Sequence, residues 1–323
     1  MFVVTGAGGF IGSCIVARLN ELGETQIILV DEWEGNNDPR KKNIEHKKYV
    51  KYYDKKEFLK LVIEDKLNPA VQCLIHMGAC SSTTCMDEEY LRVNNLEYTK
   101  TLAQWALKKN ARFIYASSAA TYGDGESGYK DDDRTTLKCK PLNLYGKSKN
   151  DFDLWALKNG LLDKMVGLKF FNVFGPNEYH KGDMRSVICK AYPQVVQDGV
   201  MRLFKSYHPD YEDGGQKRDF IYVKDAVDVV LFFVNHKNIN GLFNVGTGKA
   251  RTWNDLARAI FRAAGKNPNI EYFEMPEHLR PRYQYFTEAD MGKLRKAGYQ
   301  KPFTSLEDAI LDYALYLKNQ SYW

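Results

Sequence analysis

The chain has 323 residues and a formal net charge of +5, with 44% of its residues hydrophobic and 27% charged. This composition is typical of a globular protein and excludes the disordered and fibrous classes, and the length suits a large domain joined to a smaller one. The longest apolar runs, such as 227–234, are far shorter than the roughly 20 residues that span a bilayer, and no secretory signal precedes the apolar residues 2–4. We therefore expect a cytoplasmic protein with no membrane partner and, because the charge is small, no nucleic-acid partner.

Short apolar runs alternate with amphipathic stretches through the first half of the chain. Strands are predicted at 2–4, 26–30, 71–77, 112–116 and 165–171, and helices at 11–22, 58–65, 89–108 and 148–158. Near-continuous apolar strands separated by helices predict an α/β fold of the Rossmann type, with a doubly wound parallel sheet. Ligands of such sheets bind beyond the carboxyl ends of the strands.

The pattern changes after Asn172, where Gly175 and Pro176 interrupt the alternation. A strand at 218–223, a helix at 226–235 and a strand at 242–245 follow, and a further apolar run covers 270–275. We predict a Rossmann domain made of residues 1–171 and about 217–245. Residues of about 172–216 and 246–323 are predicted to form a smaller α/β domain that binds the substrate.

A glycine-rich turn lies between the first predicted strand and the first predicted helix. Gly6, Gly9 and Gly12 allow a tight turn, close approach to a pyrophosphate and close helix packing, while the helix N–H groups attract the negative charge. Asp31, at the end of the second strand, is placed to accept hydrogen bonds from a ribose. An acid here favours NAD, whereas the basic run that begins at Arg40 offers side chains to a 2′-phosphate. These residues predict a nicotinamide dinucleotide and leave NADP and NAD both open.

Tyr145 and Lys149 lie one helical turn apart, downstream of Ser118 at the end of an apolar strand. A tyrosine with its ordinary pKa of about 10 is a poor base at neutral pH. A neighbouring lysine ammonium favours the phenolate, and a serine hydroxyl is suited to hold the oxygen of a substrate. The three residues predict a site for hydride transfer.

The six cysteines show no spacing typical of a disulfide framework or a zinc site. A metal at His76, Cys80 and Cys85 is the alternative that we considered, and its spacing fits no familiar zinc pattern. We expect reduced thiols and no metal.

The motifs GAGGFIG (6–12), YASS (115–118) and YGKSK (145–149) resemble those of extended short-chain dehydrogenases/reductases. Longer blocks are similar to a narrower family, the ADP-L-glycero-D-manno-heptose 6-epimerases: HMGACSSTT (76–84), PLNLYGKSK (141–149), FFNVFGPNEYHKGDMRS (170–186), KRDFIYV (217–223) and FNVGTG (243–248). The resemblance extends over nearly the whole chain. It implies a nucleotide-sugar epimerase that uses NADP, serves the synthesis of lipopolysaccharide core heptose and forms a homo-oligomer, in this family a homopentamer.

The resemblance also implies roles for individual residues. Cofactor contacts fall on Phe10, Ile11, Asp31, Glu32, Arg40, Lys55, Met77, Gly78, Ala79, Cys80, Ser81, Asn94 and Lys149. Substrate contacts fall on Ser118, Asn172, Val173, Phe204, Arg218 and Tyr283, and Arg282 remains available for a phosphate. The catalytic pair falls on Tyr145 and Lys181. Departures from the family pattern at Asp183, Lys190 and Lys205 touch the expected substrate pocket, where Asp183 and Lys190 are predicted to contact the sugar nucleotide.

Inversion of an unactivated carbinol at C6 of a heptose requires removal of a hydride, a transient ketone and return of the hydride to the opposite face. A proton-transferring group is then needed in each of two orientations, and Tyr145 and Lys181 fit these roles. A lysine that binds the diphosphate is the alternative for Lys181. A 4,6-dehydratase needs an Asp-Glu pair where this chain has Ala119 and Ala120. A 4-epimerase remains the main enzymatic rival. The intact Ser118, Tyr145 and Lys149 argue against a cofactor-sensing protein without catalysis.

Overall fold

Twelve strands appear in the computed structural model, which describes residues 1–67, 70–277, 279–280 and 283–323. They are β1 (Phe2–Thr5), β2 (Ile27–Asp31), β3 (Lys51–Asp54), β4 (Cys73–His76), β5 (Arg112–Ser118), β6 (Val166–Phe170), β7 (Asn172–Phe174), β8 (Met201–Phe204), β9 (Lys217–Tyr222), β10 (Gly241–Val245), β11 (Ala250–Thr252) and β12 (Ile270–Phe273). Seven of them form one sheet in the order β10-β6-β5-β4-β1-β2-β3, and every pair in it is parallel. The order reverses between β1 and β4, where ligands of this fold bind.

The helices of the described residues are α1 (Phe10–Glu21), α2 (Lys55–Ile63), α3 (Glu88–Leu91), α4 (Tyr98–Lys108), α5 (Asp133–Thr136), α6 (Leu144–Lys158), α7 (Val187–Asp198), α8 (Val223–Asn235), α9 (Trp253–Ala263), α10 (Gly292–Lys296) and α11 (Leu306–Asn319). A π-helical turn, Arg92–Glu97, joins α3 to α4, so the helix predicted at 89–108 is continuous but contains a local bulge. Short 3₁₀ turns cover Pro39–Asn43, Ala119–Tyr122, Leu161–Asp163 and Tyr179–Met184. None of the helices in the described ranges is both long and apolar enough to cross a membrane.

Both faces of the central sheet are buried. Val3 of β1 and Leu74 of β4 pack with α2 and α4 on one face, whereas their neighbours Val4 and Ile75 pack on the opposite face with α1 and α8. Successive side chains of a strand point to opposite faces, and burial of both faces explains why these strands are apolar throughout. The predicted doubly wound Rossmann fold is confirmed.

Outside the central sheet lie a three-stranded sheet, β11-β9-β7, and the parallel pair β12-β8. The strand predicted at 218–223 is present as β9, and it pairs with β7 and β11 instead of joining the central sheet. An apolar strand has the same local pattern in either sheet, so its pairing is decided by tertiary contacts. The chain returns to the central sheet only with α8 and β10, where β10 pairs with β6.

Candidate active site

A cavity of about 1640 Å³ opens at the carboxyl ends of the central strands. Ligand pockets commonly measure about 300–1,000 Å³, so this one has room for a dinucleotide and a nucleotide sugar together. It brings together most of the predicted site residues, namely Gly6, Gly9, Phe10, Ile11, Gly12, Asp31, Glu32, Arg40, Lys55, Met77, Gly78, Ala79, Cys80, Ser81, Asn94, Ser118, Tyr145, Lys149, Asn172, Val173, Lys181, Arg218 and Tyr283.

Three predicted substrate contacts do not line the cavity. Asp183 and Lys190 are exposed, and the Lys190 ammonium donates to the Asp183 carbonyl oxygen at 3.2 Å. The backbone turns at Gly182 (φ +52°), and in the residues that follow Met184 lines the cavity whereas Asp183 does not. Phe204 packs its ring against Phe273, with centroids 4.8 Å apart. The geometry thus argues against direct contact of these three side chains with a substrate, and Arg282 lies outside the described residues.

The glycine loop packs so closely against neighbouring backbone atoms that positions 6 and 12 have no room for a side chain. Gly6 has a φ of +66°, and a side-chain carbon on it would lie 2.6 Å from the Gly78 nitrogen. A side-chain carbon on Gly12 would lie 2.0 Å from the Gly6 carbonyl oxygen, so α1 can begin directly beneath the loop only because residue 12 is glycine. Gly9 caps the helix, whose N–H groups face the cavity end where phosphates would bind.

Asp31 ends β2 and is held in place by three donors. Its carboxylate accepts from the Gly8 N–H (2.7 Å), the Glu32 N–H (2.8 Å) and the Arg40 guanidinium (3.2 Å). Burial raises the pKa of Asp31, and these contacts oppose that rise. Arg40 is also paired with Asp38 at 2.5 Å, and it lies 5.6 Å from the centre of the Trp33 ring. Trp33, which was not predicted, lines the cavity two positions after Asp31.

The π-helical turn carries two adjacent asparagines, of which Asn94 lines the cavity and Asn95 is buried behind it. Asn94 accepts a hydrogen bond from the Lys55 ammonium. The amide of Asn95 bonds both the N–H (2.8 Å) and the carbonyl (2.9 Å) of Cys80 and also donates to the Ser148 hydroxyl at 3.0 Å. Asn95, which was not predicted, therefore fixes the loop after β4 against α6.

Tyr145 and Lys149 lie on the first turns of α6, which begins where the Asn143 side chain accepts from the Gly146 N–H at 2.7 Å. The Lys149 ammonium donates to the Ala116 carbonyl oxygen at 2.8 Å. Burial lowers the pKa of Lys149 to about 8. Burial raises the pKa of Tyr145, and interaction with the Ser118 hydroxyl partly opposes this rise.

A buried cluster of polar residues on α6, β5 and β6 holds in place the helix that carries Tyr145 and Lys149. The Asp153 carboxylate on α6 accepts from Tyr115 (2.9 Å) and Ser117 (2.7 Å) on β5 and lies 3.1 Å from the Lys169 ammonium on β6. Asp153 and Lys169 are both fully buried. Because a buried ion pair tolerates little rearrangement, this cluster fixes α6 relative to the end of β5, where Ser118 lies.

Lys181 lines the same cavity and lies on the turn Tyr179–Met184. Its ammonium lies 5.2 Å from the centre of the Phe10 ring. Burial lowers the pKa of Lys181, while the charge of Glu178 opposes the change. His180, a cavity residue that was not singled out, has a pKa lowered by burial to about 4 and is neutral near pH 7.

The far end of the cavity belongs to the smaller domain. The Arg218 guanidinium is buried, donates to the Gln284 carbonyl oxygen and lies 5.4 Å from the centre of the Tyr283 ring. The Trp253 indole N–H donates to the Tyr283 hydroxyl at 3.1 Å. An aromatic wall with a guanidinium matches a base-and-phosphate ligand.

We expect the variant Lys149→Met to lose activity and yet be more stable than the unmodified chain at pH 7. Below pH 8 both folded and unfolded states carry the Lys149 proton, so the unfavourable burial of the ammonium is present in full. Between about 8 and the ordinary value of 10.5 the folded state releases the proton first, and this penalty disappears as pH rises. The lowered pKa of Lys149 corresponds to a stability gain of at most about 3 kcal/mol for Lys149→Met. The loss of the hydrogen bond to Ala116 reduces this gain by about 1 kcal/mol.

Denaturant unfolding at several pH values measures this difference. The stability gain of Lys149→Met should be largest below pH 8 and should fade toward pH 10.5. Lys147→Met is the matched control, because Lys147 lies on the same helix but is exposed and paired only with surface carboxylates. A gain that does not change with pH would contradict the assignment.

Comparison with known proteins identifies the fold family. Residues 2–246 match the NAD dependent epimerase/dehydratase family. The chain belongs to this family. Two curated relatives of this epimerase-family chain are named ADP-L-glycero-D-manno-heptose-6-epimerase. The one from Nitratidesulfovibrio vulgaris is 56% identical over 313 residues, and the one from Fusobacterium nucleatum is 46% identical over 322 residues. Both alignments cover 97% of this chain and 96% of the relative.

A solved structure shows the same architecture. The crystal structure of the Helicobacter pylori ADP-L-glycero-D-manno-heptose-6-epimerase superposes with a TM-score of 0.82 at 27% identity, covering 98% of this chain and 96% of that one. The resemblance inferred from the sequence motifs is confirmed, and the family description establishes that the cofactor is of the nicotinamide class.

Proposed function

We propose that this epimerase-family chain converts ADP-D-glycero-D-manno-heptose to ADP-L-glycero-D-manno-heptose by inversion at C6. The observation that carries the proposal is that Lys181 lies on the wall of the same cavity as Tyr145 and Lys149. The names of the full-length relatives support the same substrate. Conversion of this sugar nucleotide, followed by NMR at C6, tests the proposal.

The residues at the carboxyl edge of the sheet fit a nicotinamide dinucleotide. The glycine loop offers a cradle that any side chain would fill, and Asp31 offers a carboxylate at the end of β2. The rest of the dinucleotide would be held by Phe10, Ile11, Lys55, Asn94 and the 77–81 loop. When bound, a nicotinamide ring would supply a reversible acceptor and donor of hydride for C6, so no net oxidation would result.

Tyr145 is proposed to exchange the proton of the reacting hydroxyl. The ammonium of Lys149 stabilises the phenolate, while the Ser118 hydroxyl holds the substrate oxygen. Burial alone works against ionisation of Tyr145, so the positive charges around it must lower its pKa in the complex.

Lys181 is proposed as the second proton-transferring group. Inversion requires that the ketone expose its other face to the same cofactor, which moves the oxygen away from Tyr145. A lysine whose pKa is lowered by burial exchanges protons nearer to neutral pH than an exposed one. A 4-epimerase does not need such a group, because there the sugar ring itself rotates past one tyrosine.

We propose NADP as the cofactor, with Arg40 as the residue that meets the 2′-phosphate. Arg40 lies beside Asp31, and Lys55 and Lys56 each lie within 3.7 Å of Glu32, so cations flank the ribose end of the cavity. The negative charge of a 2′-phosphate would be opposed by four carboxylates in the same region, those of Asp31, Glu32, Glu34 and Asp38.

Arg40→Ala is therefore expected to weaken NADP binding about 10- to 100-fold relative to NAD. Fluorescence titration with each dinucleotide measures the two affinities, with Lys42→Ala as control, because Lys42 is an exposed residue of the same turn. An equal effect on NADP and NAD, or preference for NAD in the unmodified chain, would contradict the NADP assignment.

We further propose, from the family resemblance, that the chain is a cytoplasmic homopentamer and acts in lipopolysaccharide core heptose synthesis. Light scattering of the purified protein measures the number of subunits.

A further inference from the structure

We infer that Asn43 is a positioning residue that ties the glycine loop to the loop that carries Lys181. This inference rests on the proposed role of Lys181. Asn43 ends the turn Pro39–Asn43 and is 1% exposed. Its amide nitrogen lies 2.8 Å from the Gly8 carbonyl oxygen, 3.1 Å from the Asn177 carbonyl oxygen and 3.3 Å from Nδ1 of His180.

The glycine loop is rigid on the side where Asn43 binds. The N–H of Gly8 donates to Asp31 at 2.7 Å, while its carbonyl accepts from Asn43. A side-chain carbon on Gly8 would lie 2.5 Å from the Trp33 ring, so the ring packs directly on this peptide. Asn43 thus grips a part of the loop that has little freedom to move.

The partner loop is also anchored, but at points away from Lys181. Asn177 is fully buried, has a φ of +74°, donates to the Ser13 hydroxyl (3.0 Å) and exchanges two hydrogen bonds with Trp323 (2.9 and 3.0 Å). The buried Glu178 carboxylate accepts from the Ser186 N–H (2.5 Å) and hydroxyl (2.6 Å), which closes the base of the loop.

Asn43 joins the glycine loop to residues 177–180, which precede Lys181 in the chain. Two main-chain carbonyls face its amide nitrogen, so the amide group must present its N–H groups there. The separation between the glycine loop, where the dinucleotide would lie, and the Lys181 turn is then set by one side chain. Errors of about 1 Å in such a separation lower catalytic rates about 100-fold.

The variant Asn43→Asp tests this positioning role with almost no change in the shape of the side chain. A carboxylate would place an acceptor against two carbonyl oxygens, whereas a protonated carboxyl can again donate one hydrogen bond. Relative to the unmodified chain at each pH, we expect kcat of Asn43→Asp to fall about 10- to 100-fold at pH 8 and to recover in part toward pH 5.5. The Kd for NADP and the KM for ADP-D-glycero-D-manno-heptose should change less than about threefold, because neither ligand is expected to contact Asn43.

Asn20→Asp is the matched control, since the Asn20 amide nitrogen also bridges two carbonyls, of Glu24 and Lys48, both at 2.9 Å, but outside the cavity. If Asn43→Asp fails to fold, Asn43→Ala, which removes the amide that joins the two loops, should lower kcat by a similar factor at unchanged NADP affinity. Unchanged kcat in the folded variant, or parallel loss of kcat and NADP affinity, would overturn the inference. Absence of inversion by the unmodified chain would instead remove the proposed function itself.

Discussion

Tyr145→Phe is expected to lower the rate of C6 inversion by at least about 1000-fold while leaving the Kd for NADP unchanged. The substitution removes one hydroxyl from a side chain whose neighbours, Ser118 and Lys149, stay in place. General acid–base groups typically contribute about 10²- to 10⁴-fold to a rate, and the proposed charge stabilisation by Lys149 adds to this contribution. Steady-state kinetics combined with fluorescence titration of NADP measures both quantities.

Tyr49→Phe is the control for this experiment, because Tyr49 is 40% exposed and does not line the cavity. Its kinetics should match those of the unmodified chain. Near-normal turnover in Tyr145→Phe would contradict the mechanism.

Substitution of Lys181 separates proton transfer from diphosphate binding. Lys181→Met removes both the charge and the transferable proton, and inversion is expected to fall about 10²- to 10⁴-fold. Lys181→Arg keeps a cation that binds a diphosphate but has a pKa too high to exchange a proton near neutral pH. If Lys181 is an acid–base group, both variants lose kcat to a similar extent and KM changes little.

A lysine that only binds phosphate behaves differently. In that case Lys181→Met raises KM with little effect on kcat, and Lys181→Arg restores the affinity. Lys158→Met, at the exposed end of α6, provides a lysine control outside the cavity.

The local parts of the site could be predicted from the sequence. The spacing of Gly6, Gly9 and Gly12, the acid at the end of β2, and Tyr145 and Lys149 one turn apart each depend on a short segment with a regular geometry. Because parallel strands end at a common edge, these separate segments were also expected to meet, and the cavity contains all of them.

Residues whose significance depends on tertiary contacts were not predicted. The importance of Asn95, Trp33 and His180 follows from what they touch: Cys80 and Ser148, the Gly8 peptide, and Asn43. Lys181 was found through resemblance to a family rather than through its spacing.

Contacts outside the central sheet likewise could not be predicted from local sequence patterns. The pairing of β9 with β7 and β11 depends on contacts between segments far apart in the chain, as does the packing of Phe204 on Phe273. Asp183 and Lys190 lie near Lys181 in the sequence, but both side chains are exposed, and a sequence position near Lys181 does not reveal this.

Inversion at C6 by Tyr145 and Lys181 is tested most directly by NMR of purified protein incubated with ADP-D-glycero-D-manno-heptose and a catalytic amount of NADP. We expect an equilibrium mixture of the two C6 epimers, with no net formation of NADPH. A sugar nucleotide that stays unchanged at C6, together with inversion at C4 of another nucleotide sugar, would contradict this expectation and favour a 4-epimerase.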